Sequence, residues 1–201
     1  MDSPQKIRLF IAVPVPSEVR RRIEKAQLDF TKVLPSKLAR WTRPEQFHLT
    51  LRFLGNVPSS RVESLVSALA QSCTSFSALH LDATGVGFFP NHRNPRVLWA
   101  GVRDADNVLN KLWESLCSAT QPFTVEPAEK HFSGHITLAR LDRLRAVERE
   151  SLAKLAAQLQ NEPFGTWTAS GVQLVRSDLS PQGARHTVLG EFPLPDRKAN
   201  S

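Results

Sequence analysis

The sequence predicts an α+β fold built from two related halves, with antiparallel sheets inside and helices outside. Two observations support this class. Strand-like and helix-like segments follow one another as strand, helix, strand, helix, strands, and then as helix, strand, helix, strands. The tetrapeptide at residues 48–51, His-Leu-Thr-Leu, recurs at residues 135–138 as His-Ile-Thr-Leu, and a helix-like segment follows each copy. The two halves are therefore expected to bring the tetrapeptides face to face.

Size and composition indicate one ordinary globular unit. The chain has 201 residues, of which 41% are apolar and 22% are charged, and this is enough to form a sizeable core. No Gly/Ser-rich stretch or sustained charge run separates the two halves. Residues 1–201 are therefore predicted to form a single bilobal domain, which is expected to be a monomer.

The charge balance is basic. The 26 Lys and Arg residues against 19 Asp and Glu residues give a formal net charge of +7. Such a balance favours an anionic partner, of which nucleic acid is the commonest, although a solvated positive surface is the simpler explanation of charge alone.

The chain shows no targeting or disulfide pattern. The first apolar run, residues 9–13, is too short for a signal peptide or a membrane span, so a cytoplasmic protein without a membrane partner is expected. Cys73 and Cys117 are too few and too far apart for a disulfide framework, and both are expected to be buried free thiols.

In the first half, hydrophobic periodicity and end signals define the elements. Pro14 ends a β-prone run, and Ser17 precedes apolar residues at helical spacing. The predicted elements are a strand, a helix, the first motif strand and a second helix, at about residues 7–13, 17–30, 47–54 and 59–75.

The second half is interpreted in the same way. Gly85 and Gly87 are expected to break a strand region at residues 76–89, and Asp104 is expected to cap a helix. The remaining predictions are strands at residues 96–102 and 132–139, a helix at 142–160, and final strands at 167–176 and 184–189.

Strand alternation gives each tetrapeptide two different faces. Successive side chains of a strand point to opposite sides, so His48 and Thr50 share one face while the leucines at 49 and 51 are buried behind it. The second copy does the same with His135 and Thr137. Two such strands supply two imidazoles and two hydroxyls to one surface.

Two histidines on either side of one phosphorus atom can divide acid–base work. One can take a proton from an attacking water while the other protonates the departing oxygen, because both forms of imidazole are accessible near neutral pH. Thr50 and Thr137 can donate hydrogen bonds to the phosphate oxygens. A single His-x-Thr-x on a strand is ordinary sequence, but its repetition favours metal-independent cleavage of a phosphodiester.

The other histidines have weaker interpretations. His131 and His135 are four residues apart, which suits zinc on a helix, but the residues between them are poor helix formers and no acidic or Cys cluster accompanies them. No metal and no other cofactor is therefore expected. His80, His92 and His186 are isolated and are expected to be surface or core residues.

Five ordered segments resemble one family. The segments are residues 8–13, 41–55, 95–102, 135–140, and the closing stretch 174–185. The chain is similar to the 2H phosphoesterases, which are named for two His-x-Thr/Ser-x motifs. It most resembles the RNA 2′,3′-cyclic phosphodiesterases (LigT-like), first described as 2′-5′ RNA ligases.

The resemblance implies a bilobal fold in which both motif strands line a central cleft. It implies that a 2′,3′-cyclic phosphate end of RNA, or a nucleoside 2′,3′-cyclic phosphate, is hydrolysed to a 2′-phosphomonoester. By carry-over, His48 is the proton donor to the leaving 3′ oxygen and His135 activates the water. Thr50 and Thr137 would hold the phosphate.

Two further residues are implied near the substrate. Arg140 is expected near the phosphate and Phe53 near the nucleobase. Strict alternation, however, places Arg140 opposite His135 and Phe53 opposite His48, unless the strand ends, bulges or twists just past each motif. Arg52, on the His48 face by alternation, is the competitor for the phosphate.

The sequence departs from the family pattern at two places. Gly134 stands where Pro is common, and His186 stands where Tyr is common. The first loosens the backbone that enters His135, and the second alters contacts near the cleft. Neither removes a proposed catalytic group.

Two other functions remain open from the sequence. The same two histidines could form a 2′-5′ bond in the reverse direction, which is RNA ligation. A non-catalytic RNA-binding module would use only the basic surface, and it would have no need for both His and Thr pairs.

Overall fold

The computed structural model describes residues 5–181 and 183–195 and confirms the α+β class. Within those ranges the chain forms nine β-strands and four α-helices. The strands are β1 Lys6–Pro14, β2 Ala39–Trp41, β3 His48–Pro58, β4 Leu79–Phe89, β5 Val97–Asp104, β6 His135–Leu141, β7 Pro163–Ala169, β8 Gly171–Ser180 and β9 Gly183–Pro193. The helices are α1 Ser17–Val33, α2 Val62–Cys73, α3 Val108–Thr120 and α4 Ala146–Gln158.

The strand order has an internal symmetry. The sheet runs β7-β4-β5-β6-β3-β1-β8-β9, with β2 beside β6, and the paired strands are antiparallel. Starting from the middle, β3-β1-β8-β9 on one side corresponds to β6-β5-β4-β7 on the other. The two predicted sheets are therefore the halves of one continuous sheet.

The halves meet at a single cross-strand pair, Leu49 opposite Ile136. Both side chains are completely buried. Extending this antiparallel register by one residue in each direction sets His48 across from Thr137, and Thr50 across from His135. The approximate two-fold axis of the molecule thus passes between the two motifs.

The four helices cover one face of the sheet. Leu49, Leu51, Ile136 and Leu138 belong to the main core, together with a buried stripe from each helix. That stripe includes Ile23 and Phe30 of α1, Leu65 and Leu69 of α2, Leu112 and Leu116 of α3, and Leu152 and Ala156 of α4. A second, small cluster of Phe10, Ala12, Val175 and Phe53 is separate from this core. The uncovered face, on which this second cluster lies, is the motif face.

Glycines extend two strands that were expected to end or break. Gly55 has a φ of 63° and Gly85 a φ of 70°, and each coincides with a shift in strand register. A Cβ at Gly85 would approach the Gln160 carbonyl oxygen to 2.2 Å, so glycine is required there. β3 therefore continues to Pro58 and β4 crosses both of its glycines without interruption.

Two predictions in the second half were wrong in detail. Residues 167–176 were expected to form a single strand. They belong instead to two strands of the antiparallel sheet, β7 and β8, which are separated at Ser170. Asp104 is not the N-cap of α3, which is Asn107 in the left-handed region. Asp104 still satisfies the helix start, because its Oδ2 accepts a hydrogen bond from the Leu109 amide at 2.9 Å.

The pair that joins the halves should be the most sensitive apolar contact of the motif strands. We expect Leu49→Ala to lower the free energy of unfolding by about 2–5 kcal/mol, because it leaves a cavity at the junction. Leu28→Ala, on the half-exposed side of α1, is the matched control and should stay within about 0.5 kcal/mol of the parent. Urea unfolding measures both, and equal effects would contradict the central role of the pair.

Candidate active site

Both motifs present the predicted faces. His48, Thr50, His135 and Thr137 are partly exposed, and the aliphatic residues between them are buried. The proposed catalytic histidines and threonines are thus gathered on one face around the junction of β3 and β6. This arrangement agrees with the alternation argument for all four residues.

The two histidines are anchored in the same way. The Nδ1 of His48 lies 2.6 Å from the Gln46 carbonyl oxygen, and the Nδ1 of His135 lies 2.8 Å from the Ser133 carbonyl oxygen. Because a carbonyl oxygen can only accept, each Nδ1 must carry the hydrogen. In the neutral imidazole, the lone pair is then on Nε2, the atom free to exchange protons with a substrate.

The surroundings of His48 are aromatic and enclosed. The Phe10 ring stacks on its imidazole with centroids 4.8 Å apart, and the His186 ring meets it edge-on at 5.5 Å. Burial lowers the pKa of His48 from 6.5 to about 4; the Gln46 carbonyl opposes this shift, and His186 and His135 add to it. In the free protein His48 is therefore neutral at physiological pH.

His135 lies against a different aromatic pair. The Phe89 ring meets its imidazole edge-on at 4.8 Å, and the Trp99 ring lies 5.2 Å from Phe89. Trp99 is also the cross-strand partner of Thr137. Aromatic side chains thus pack against the histidine in each half, but the aromatic residues and their ring geometry differ between the two halves.

A β-bulge lies at the last residue of each motif. On β3, Thr50 pairs with Ala12 and Arg52 with Ile11, which leaves Leu51 as the extra residue. On β6, Thr137 pairs with Trp99 and Ala139 with Leu98, which leaves Leu138 as the extra residue. An extra residue in one strand reverses the facing of the residues beyond it. The alternation argument was therefore wrong for the residues beyond each motif.

The bulges bring Phe53 and Arg140 to the motif face. Phe53 packs against the cluster that contains Phe10, whose ring stacks on His48. The Arg8 guanidinium lies 4.4 Å from the centre of the Phe53 ring. Arg140 is exposed between two buried neighbours of β6. Both residues thus lie on the motif face, and their contacts with a phosphate and a nucleobase stay predictions.

The same bulge removes Arg52 as a competitor. Arg52 is only 6% exposed, and its Nη2 donates a hydrogen bond to the Glu126 carbonyl oxygen at 2.9 Å. It also interacts with the thiol of Cys117, on the helix side of the sheet. Arg52 is therefore a structural residue and does not face the histidines.

Sequence reasoning missed several residues of the site. His186 is isolated along the chain, yet strand pairing through β8 and β1 places its ring 5.0 Å from that of Phe10 and beside His48. The periodicity of Phe10, Phe89 and Trp99 indicated only that they belong to strands. The one available signal was that His186 occupies a position where the family has an aromatic residue.

Gly134, the other departure from the family pattern, fits its surroundings. Its carbonyl oxygen accepts a hydrogen bond from the Val102 amide at 2.9 Å. A Cβ at Gly134 would lie 2.4 Å from the Val102 carbonyl oxygen, so this close approach of two backbones needs glycine.

The alternative zinc interpretation of His131 and His135 lacks its helix. Residues 131–134 are not helical, so the spacing of four does not put the two rings on one face. In the described part of the chain, no group of three or more His, Cys, Asp or Glu side chains could hold a metal ion. None of the helices in the same ranges is long and apolar enough to cross a membrane.

Comparison with known proteins identifies relatives over most of the chain. Residues 13–99, which contain the first motif, match the family model described as LigT like Phosphoesterase. A protein of Thermus thermophilus named RNA 2′,3′-cyclic phosphodiesterase is 34% identical over 94% of this chain and 90% of its own length. One of the same name from Methanothermobacter thermautotrophicus is 30% identical over 94% of this chain and 100% of its own length.

Solved structures show the same architecture. The crystal structure of the Thermus thermophilus protein TT0787 matches with a TM-score of 0.76 and 32% identity, covering 95% of this chain and 100% of that one. LigT of E. coli, in a complex with 3′-AMP, matches with a TM-score of 0.73 at 23% identity, covering 94% of this chain and 98% of that one, which shows the common fold.

Fold and site together define a 2H phosphoesterase, in which two His-x-Thr-x strands meet on one face of a curled antiparallel sheet. Within that class, the chain belongs to the LigT-like phosphoesterases.

The enclosure of His48 can be tested by its titration. In the free protein we expect the His48 imidazole to gain its proton only near pH 4, because burial lowers its pKa to about 4 by disfavouring the charged form. An NMR pH titration, with the signal assigned from a His48→Asn variant, measures the midpoint. Bound inorganic phosphate should raise that midpoint, since a nearby anion favours imidazolium. A midpoint near 6.5, the ordinary value, without phosphate would contradict the burial argument.

Proposed function

We propose that this protein hydrolyses RNA 2′,3′-cyclic phosphate ends to 2′-phosphomonoesters. The observation that carries the proposal is the pair of histidines, each with Nδ1 bonded to a carbonyl and each across from the threonine of the other motif. Relatives that share the length of the chain and bear the name RNA 2′,3′-cyclic phosphodiesterase support the same substrate.

The reaction needs one base and one acid on opposite sides of phosphorus. Nε2 of His135 takes a proton from water as the water oxygen bonds to phosphorus. Nε2 of His48 gives a proton to the 3′ oxygen as the bond between that oxygen and phosphorus breaks. The products are a 2′-phosphomonoester and a free 3′ hydroxyl, and each of the two proton transfers is typically worth about 10²–10⁴-fold in rate.

Thr50 and Thr137 stabilise charge on the phosphate. Their hydroxyls donate hydrogen bonds to the non-bridging oxygens, and these bonds strengthen as the oxygens gain negative charge in the transition state. In the antiparallel register, one threonine lies on each side of the two-fold axis. The phosphate is thus held between two equivalent donors, and the acid–base chemistry proceeds without requiring a metal.

The donor role of His48 depends on the substrate. With a pKa of about 4, its imidazole is neutral in the free protein and could equally serve as a base. A bound cyclic phosphate carries a negative charge, which favours the imidazolium and raises the pKa. The proton that His48 donates therefore arrives when the anionic substrate binds, and exchange with solvent restores both histidines after turnover.

The two halves differ where the substrate has to be oriented. Phe53 and Arg140 occupy equivalent positions, three residues beyond the threonine of each motif. Phe53 offers an aromatic surface to a nucleobase, with Arg8 beside it, whereas Arg140 offers a cation to a phosphate. A nearly symmetric frame thus binds an asymmetric RNA end in one direction.

We propose that the protein acts as a monomer, because one chain carries both motifs. The proposal also includes a cytoplasmic location and no cofactor. Ligation, which would form a 2′-5′ bond from a cyclic phosphate and a 5′ hydroxyl, uses the same groups in reverse. Hydrolysis is favoured over ligation because water is far more concentrated than any RNA end.

The catalytic assignment makes a direct prediction about turnover. The purified protein should open a nucleoside 2′,3′-cyclic phosphate in excess EDTA and release the 2′-monophosphate. His48→Ala and His135→Ala should each lower kcat by about 10²–10⁴-fold, because each removes one proton transfer. Product analysis by chromatography measures both the rate and the isomer.

His80→Ala is the matched control for that experiment, since His80 lies on β4 beside Thr168 and away from the motifs. It should keep the parent rate. Full activity of either motif variant, or loss of activity in EDTA, would contradict the mechanism. RNA binding without turnover would favour a pure binding module.

The acid and the base can be told apart by the leaving group. A phosphodiester with a nitrophenol leaving group needs little protonation as it departs, so loss of the acid should matter less for it. For His48→Ala, we expect the fold-reduction in rate to be at least about ten times smaller on the nitrophenyl ester than on the cyclic phosphate. For His135→Ala, we expect a similar fold-reduction on both substrates. The opposite pattern would exchange the two roles.

A further inference from the structure

One buried side chain of helix α1 joins two backbone segments that belong to different motifs. Gln27 is only 5% exposed, and its Nε2 donates two hydrogen bonds. They reach the Thr42 carbonyl oxygen at 2.8 Å and the Leu138 carbonyl oxygen at 2.9 Å, so both amide protons are used. Because a buried amide is costly unless its donors are bonded, Gln27 fits only where these two carbonyl groups lie together.

The Gln27 amide lies where the chain leaves the sheet between two strands. β2 and β3 both pair with β6, and residues 42–47 between them are not part of a strand. At the start of this segment the Thr42 amide also donates to the Leu138 carbonyl oxygen, at 2.8 Å. That oxygen thus accepts two hydrogen bonds, which use both of its lone pairs. Leu138 is the bulge residue directly after Thr137, so α1 holds the peptide group next to the second motif.

The same segment carries the anchor of His48. At its far end, the Gln46 carbonyl oxygen accepts the hydrogen bond from Nδ1 of His48, and the Gln46 side chain donates to the Ala184 carbonyl oxygen. Three residues separate Gln46 from Thr42, and a 3₁₀ turn makes this stretch compact. The segment is therefore attached at both ends, to Gln27 at Thr42 and to β9 at Gln46.

His48 and Thr137 are the two site residues that this connection joins. The antiparallel register sets them across from each other, but the orientation of the His48 ring depends on its carbonyl anchor. Each residue is a short stretch of backbone away from the Gln27 amide, through Leu138 on one side and residues 42–46 on the other. Displacement of either carbonyl group would therefore change the alignment of the proposed acid with the phosphate.

The other half is built differently in the residues that the structure describes. The stretch beside β3 is held from the strand itself, because Nη2 of Arg52 donates to the Glu126 carbonyl oxygen at 2.9 Å. His135 follows this stretch and has its own carbonyl anchor. Gln27 thus contacts the side of His48, and His135 provides an internal reference.

We propose that Gln27 is a positioning residue, which fixes the proton-donating ring of His48 relative to the hydroxyl of Thr137. This inference deepens the proposed function and rests on it. Because α1 covers the face of the sheet opposite the motif face, the amide acts through the two carbonyl groups and not on the substrate. Its contribution is alignment, and a displacement of a reacting group by about 1 Å can cost about 10²-fold in rate.

The variant Gln27→Met tests the alignment, because it keeps the length of the side chain and removes both hydrogen bonds. We expect kcat for a nucleoside 2′,3′-cyclic phosphate to fall by about 10–100-fold. KM should stay nearly unchanged, since the lost contacts act on the reacting geometry and not on substrate binding. The reduction should be at least about five times smaller on the nitrophenyl ester, whose leaving group needs little help from the acid. A merely structural residue would lower both rates alike.

Ring 15N NMR at neutral pH gives a readout without turnover. In the parent protein, His48 should show the Nδ1–H form alone, because the Gln46 carbonyl oxygen accepts that proton. In Gln27→Met the loosened anchor should allow a mixture with the Nε2–H form. His135 should keep the Nδ1–H form in both proteins, since its anchor does not involve Gln27.

Thr120→Val is the matched control for a lost buried hydrogen bond. Thr120 is fully buried on α3, and its hydroxyl donates to the Leu116 carbonyl oxygen at 2.6 Å within the same helix. This variant should keep kcat, the dependence on the leaving group and the His48 tautomer. Gln27→Glu, which keeps the shape but replaces the donor with an acceptor, should reproduce the defects of Gln27→Met. Urea midpoints show which variants fold.

The outcomes separate this inference from the proposed function. If the parent protein opens no cyclic phosphate, the proposed function is wrong, and the tautomer comparison still tests the anchor of His48. If the Gln27 variants keep kcat, lose the same factor on both substrates or leave His48 in one form, only the inference is wrong. If neither variant folds, the parent protein decides. Binding of inorganic phosphate should then shift the NMR signals of the Gln27 side-chain amide, and unchanged signals would overturn the positioning role.

Discussion

One buried contact, Leu49 against Ile136, determines the geometry of the site. It is the cross-strand pair between β3 and β6, and it joins two four-strand halves that otherwise have separate neighbours. Because each residue is flanked by the His and the Thr of its own motif, pairing the aliphatics in antiparallel register sets every motif histidine across from a threonine. The arrangement of the four motif residues is therefore a consequence of how the core closes, and it requires no loop to hold it.

The bulges at Leu51 and Leu138 extend this site along both strands. Without them, the two-residue period would turn Phe53 and Arg140 into the core and Arg52 out toward the histidines. The extra residue reverses this facing in both halves at the same position. The shared bulge preserves the symmetry of the backbone, while an aromatic residue on one side and an arginine on the other give the face a direction.

The two histidines share a backbone anchor but not an electrostatic environment. His48 is enclosed by Phe10 and His186, and burial holds its pKa at about 4, whereas His135 rests against Phe89 beside Trp99. In the proposed reaction, His48 therefore becomes charged when the anionic substrate binds. The cationic residues around the site, Arg8 on one side and Arg140 on the other, suit an anionic substrate and agree with the basic balance of the chain.

The sequence alone determined the fold class, most of the elements and the four motif residues. These depend on local periodicity and on a repeat, and both can be recognised without knowing which strands pair. It missed the division of residues 163–180 into β7 and β8, and it placed Arg52, Phe53 and Arg140 on the wrong faces by alternation. Its only sign that His186 is close to the site was that the family has an aromatic residue at that position. Only the tertiary structure decided these points. A bulge is visible only against its partner strand, and His186 reaches the site because its neighbouring strand β8 pairs with β1, which is distant in sequence.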